Sequence, residues 1–92
     1  MGIGDELANR ERLLARTAAV RARGRRVAAR VSQLAGEIAK TEDRVAAQRE
    51  RLAATRPDRA HELRRSAEDA RSFAEHERRE QERWSDTAQN GN

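Results

Sequence analysis

The 92-residue sequence has no cysteine and no tyrosine, and only one proline, one phenylalanine, one tryptophan and one lysine. Without cysteine there is no disulfide, no thiolate metal ligand and no cysteine nucleophile, and the chain suits a reducing compartment. Of its 33 hydrophobic residues, 18 are alanine and only 15 are large. A chain this short and this poor in aromatic and branched side chains cannot build an ordinary single-core globular domain. No apolar run exceeds four residues, so no segment reads as a membrane span. Met1 to Glu6 lacks the basic region and apolar stretch of a secretory signal, and the expected location is cytoplasmic.

What remains is rich in helix formers. Residues 5–55 are mostly Ala, Leu, Arg, Glu, Gln and Val, and residues 58–86 read the same way. The spacing of the large residues is heptad. Leu13, Val20, Val27 and Leu34 stand seven apart, as do Val31, Ile38, Val45 and Leu52, and the second set falls four residues after the first. The phase passes unbroken through Gly24 and Gly36, which argues for one long helix, with a hinge at Gly24 as the rival. After Pro57 a second seam follows, through Ala60, Leu63, Ala67, Ala70, Ala74, Glu77, Gln81 and Trp84. Thr55-Arg56-Pro57-Asp58 makes a short corner, because the residue before proline is pushed out of the helical region and proline suits the first turn of the next helix.

The expected fold is therefore all-α: an antiparallel helical hairpin, or coiled coil, dimerising into a helical bundle. Its parts are a disordered start (1–4), helix 1 (5–55), a turn (56–58), helix 2 (59–86) and a disordered tail (87–92). Pairing about the corner sets Val45 near Ala67, Ile38 near Ala74, and Val27 or Gly24 near Trp84. The large ladder is then expected to form the seam. Ala28, Ala35, Ala39, Ala46 and Ala53 are expected to make an apolar shoulder beside it, free for further helices. Charged pairs Glu75–Arg79 and Arg78–Glu82 are expected to support the stretch of helix 2 that lacks apolar side chains.

Charge is distributed in blocks. The net charge is +4, with 19 arginines, a bias that GC-rich coding alone also produces. From Arg12 to Gly36 there is no acid and there are seven arginines, whereas Glu75, Glu77, Glu80, Glu82 and Asp86 crowd helix 2. The hairpin sets the acidic block beside residues 24–36, so much of the basic run is expected to be neutralised within the chain. Helix 2 is too short to cover residues 5–22, and Leu7, Leu13, Leu14 and Val20 on that overhang are the expected protein contacts.

Chemistry is poorly supported. His61 and His76 are about 22 Å apart along one helix and cannot share a metal. Each begins like the zinc motif His-Glu-x-x-His, but Arg65 and Glu80 stand where the second histidine belongs. No glycine-rich phosphate loop occurs. No catalytic residue, metal or cofactor is expected. Glu68 and Ser72 match the first two positions of the signalling-nucleotide motif Glu-x3-Ser-x2-Arg-x3-Gln-x3-Asp of certain actinobacterial anti-sigma hairpins. Glu75, Arg79 and Arg83 occupy the other three, and no ligand residue carries over.

The expected function is a non-enzymatic coiled-coil protein that acts by protein–protein interaction, as a scaffold or regulatory adaptor, pairing with itself or with another helical protein. The alternative is non-specific binding of nucleic acid or phosphate by Arg12, Arg16, Arg23, Arg26 and Arg30, which recur at heptad spacing. Interleaved aromatics for base stacking are lacking, as is the bulky apolar face of a membrane-surface helix.

Overall fold

The computed structural model describes residues 2–90. Within them the chain is all-α, with two long helices, α1 (Ile3–Thr55) and α2 (Ala60–Asn90), joined by a single 3₁₀ turn at Pro57–Arg59. Gly2, in extended backbone, precedes α1, and Asp5 and Glu6 place negative charge at its positive dipole end. The helix runs without a break through Gly24. Ile3 and Gly4 are helical, and α2 continues past residue 86 to Asn90, so both helices are longer than the composition of their ends suggests. Met1 and residues 91–92, which fall in the segments expected to be disordered, lie outside the described residues.

The corner forms as proline chemistry dictates. Arg56 leaves the helical region (φ −127°, ψ 79°), its N–H still donating to the Leu52 carbonyl at 2.9 Å, and Pro57 opens the next turn. α2 then runs back along α1. Ala46 packs with Ala67 and Ala70, Asp43 pairs with Arg78, and Ser32 Oγ donates to the Gln81 carbonyl at 2.9 Å. As one residue number rises its partner's falls, which defines two helices side by side in opposite directions. The molecule is a rod of 83 × 15 × 13 Å.

The seam between the helices is not the large ladder. It consists of Ala28, Ser32, Ala35, Ala39, Ala46 and Ala53 on α1, facing Ala67, Ala70 and Ala74 on α2, all buried. The expected shoulder is the core. The physical reason lies in a second seven-residue repeat, displaced by one residue. Val27, Val31, Leu34, Ile38, Val45 and Leu52 each immediately precede a seam residue, and one residue is a rotation of about 100° around the helix. Two alanine faces let backbones approach closely and surrender little side-chain entropy. With half of the expected α2 seam alanine and only Leu63 and Trp84 large and apolar, this match wins. The ladder is left facing sideways, with Leu34 and Ile38 still 44% and 43% exposed. The closeness of approach is visible at Gly36, where a Cβ would lie 2.6 Å from Gln81 Nε2.

The two edges of the seam differ. On the edge opposite the ladder, Arg71 forks onto both carboxylate oxygens of Glu50 and Arg78 reaches Asp43, while Arg49, in the heptad position of Ala28 and Ala35, donates to Ser66 Oγ. Arg78 thus crosses to α1 and does not pair with Glu82, and the pair Glu75–Arg79 does not form either. Within α2, Arg83 pairs with Glu80 instead. The Arg71 guanidinium, by its hydrogen bond, holds the Glu50 carboxyl below its ordinary value of 4.5. These pairs are solvent-exposed and orient the helices more than they stabilise them.

The two helical glycines of the rod interior should respond differently to alanine. Nothing lies within 4 Å of a Cβ added at Gly24, so Gly24→Ala should stabilise by about 1 kcal/mol through backbone entropy and helix propensity. Gly36→Ala should gain less, since the Gln81 side chain must move aside. Thermal melts followed by circular dichroism would show the difference, and equal shifts would contradict it.

Candidate interaction surfaces

Three surfaces result from this packing. The first is the projecting end of α1. The described part of α2 ends beside residues 20–24, where Thr87 lines one notch together with Val20 and Arg21. Residues 2–21 are exposed except for a half-buried Ala8. Leu7 is 51% exposed, and Leu13, Leu14 and Val20 exceed 60%. The four predicted contact residues therefore share one unaccompanied segment. Helical spacing sets Ile3, Leu7 and Leu14 on one side and Leu13 and Val20 about 100° further round, so the five share one broad apolar face.

The second surface is the ladder edge. Val31, Leu34 and Ile38 of α1 form a shallow groove with Glu77, Glu80 and Trp84 of α2. Towards the corner, Leu52 and Leu63 line a smaller hollow with Arg56 and Arg59. Towards the overhang the edge opens into a notch of about 510 Å³ floored by Val20, Val27, Ala28 and Trp84, with Gly24 leaving room and Arg21, Arg23 and Arg25 on its rim. Trp84 is half-buried there, beside Val27 and Gly24 as the sequence register places it. Its ring also carries the Arg83 guanidinium, 5.4 Å from the ring centroid, a cation–π contact.

The third surface is the arginine block. Arg12, Arg16, Arg23, Arg26 and Arg30 are all exposed. Among the described residues, the ion pairs involve Arg59, Arg71, Arg78 and Arg83, and none joins residues 12–30 to an acid of α2. The expected neutralisation by the acidic block is not made by contact: Glu80 turns to Arg83 within its own helix. The sequence register set Trp84 near Val27 or Gly24 but did not show the notch that opens there. The register itself was legible, since counting back from the corner sets residue 84 opposite residue 28.

Among the described residues, no cluster of three or more His, Asp or Glu side chains is placed to hold a metal ion, and no helix is long and apolar enough to cross a membrane. His61 and His76 are both exposed. No protein-family model, no curated protein and no solved structure matches this chain.

Proposed function

We propose that the protein is an antiparallel helical hairpin of the coiled-coil type that works by protein–protein contact, pairing with a second copy and offering its ladder edge to a helical partner, as a scaffold or adaptor without enzymatic activity. One observation carries this reading: the chain buries its small apolar residues and leaves its large ones outside. Ala46, Ala67 and Ala74 are fully covered, while Leu13, Leu14, Val20 and Val27 are more than half exposed. Burial of a large aliphatic side chain contributes about 1.5–3 kcal/mol, and such residues aligned on one edge of a rod mark a surface that other helices cover. Light scattering across a micromolar concentration series tests the self-pairing. The expected mass is twice the 10.4 kDa of the chain, with little change in high salt because the contact is apolar. A 10.4 kDa species throughout defeats it.

A second reading has its own observation, the seven arginines of residues 12–30 that no acid of α2 engages. A stripe of forked cations at helical spacing suits a phosphate backbone. Arg16, Arg23 and Arg30 replaced together by Gln should then lower affinity for DNA or RNA about tenfold or more in low salt, and flatten its salt dependence by about three phosphate contacts. Unchanged gel shifts would remove the stripe from consideration.

A further inference from the structure

From the layout of charge along the projecting end of α1, we infer that it pairs with the same segment of a second copy, antiparallel and end to end, crossing at Leu13 and Leu14; this rests on the self-association proposed above and names its geometry. The apolar stripe is close to symmetric about that leucine pair. Leu7 and Val20 stand equally far from the midpoint, and so do Ile3 and Gly24. A stripe symmetric about its own centre is what a two-fold contact requires, since each copy presents the same patch reversed.

Charge selects the antiparallel direction. Residues 3–11 carry Asp5, Glu6 and Glu11 against one arginine, whereas residues 12–30 carry seven arginines and no acid. Parallel pairing sets acid against acid over residues 3–11 and arginine against arginine from residue 12 onward. Antiparallel pairing about Leu13 and Leu14 brings Glu6 of each copy level with Arg21 of the other, and Asp5 into the neighbourhood of Arg23. Like charges brought together are a cost that specific interfaces are arranged to avoid.

The structure also leaves room for the second copy. Among the described residues α2 reaches only as far as residues 20–24 of α1, none of it lies beside residues 3–19, and the arriving α1 takes up that flank in the direction in which α2 runs. Its tip, Ile3, comes level with Gly24, whose missing side chain leaves the apolar notch beside Trp84 open. The overlap is about 22 residues, or ~33 Å of helix, and the pair becomes a single rod of about 130 Å built from two of 83 Å. The ladder edges from Val31 to the corner stay uncovered on both copies.

Small-angle X-ray scattering on the full chain, with light scattering for mass, separates the outcomes. A doubled mass with a longest dimension of about 130 Å is expected. A doubled mass with a length near the 83 Å of one chain means side-by-side packing on the ladder, which overturns this geometry and leaves the proposed function standing. A monomer overturns both. Charge reversal gives a second readout. Asp5→Arg with Glu6→Arg in one variant, and Arg21→Glu with Arg23→Glu in another, should each weaken self-association about tenfold or more, while an equimolar mixture of the two restores a doubled mass. Because all four side chains are exposed, the seam between α1 and α2 should be untouched, and circular dichroism should show at most fraying of the first turn of α1 in the Asp5→Arg, Glu6→Arg variant, which loses the acids at the positive dipole end. Variants that pair as tightly as the parent, or a mixture with no gain, overturn the antiparallel contact.

Discussion

Ala46→Leu should lower the stability of the helix pair by about 3 kcal/mol, the upper end of the range for forcing extra carbons into a packed site. Ala46 is fully covered and sits against Ala67 and Ala70, with Val45 beside it. The added isobutyl group has nowhere to go except between two backbones held close by alanine. The helices must part, and every alanine contact along the seam loosens with them. The reciprocal substitution on the ladder should do little. Ile38→Ala removes as many carbons as Ala46→Leu adds, yet Ile38 is already 43% exposed, and the cost within one chain should stay well below the 2–5 kcal/mol of a buried isoleucine. Urea titrations followed by circular dichroism, at concentrations where the chain is monomeric, compare the two. Had the large ladder formed the seam, the ranking would invert, so a greater loss for Ile38→Ala than for Ala46→Leu would contradict the packing described.

That inversion is also where sequence reading reached its limit. The two-helix plan was legible because Pro57 is the only proline and Arg56 before it cannot stay helical. The counter-running register was legible because a corner this short leaves one way to count, and it set Trp84 against Val27 and Gly24. Which heptad closes the seam was not legible from α1 alone. Its alanine repeat and its aliphatic repeat lie one residue apart, and hydrophobicity favours the larger side chains. The decision belongs to α2, whose facing residues are Ala67, Ala70 and Ala74 and which has few large side chains to fill a wider gap. The charge pairing was misjudged for a related reason. Lying alongside is not the same as touching. Arg78 projects over the edge where Asp43 stands, whereas the acids of α2 nearest the arginine block have helical neighbours of their own, as Glu80 has Arg83. The overhang was legible from helix lengths, and its four apolar residues are exposed as length arithmetic requires.

Leu14→Glu should abolish self-association at micromolar concentration, a loss of about 100-fold or more, equivalent to at least ~2.7 kcal/mol. Three features make the effect large. Leu14 is 64% exposed in the single chain and lies on the projecting segment of α1, so the substitution leaves the seam intact, and glutamate is itself a good helix former. Its cost falls entirely on the contact between copies. At a two-fold centre each copy meets its own substitution, so two apolar side chains are lost and two like charges are set near each other. A carboxylate moved out of water without a partner adds a desolvation penalty. Leu14→Ala should give an intermediate loss, since it removes carbon without adding charge. Sedimentation velocity reads the mass, and circular dichroism confirms that helicity is retained. A variant that keeps both the doubled mass and the parent's concentration dependence would exclude this residue from the interface. A variant that loses helicity would show that residues 3–21 draw their structure from the second copy, which is the same contact seen from the other side, because an isolated helical segment of that length is marginal in water.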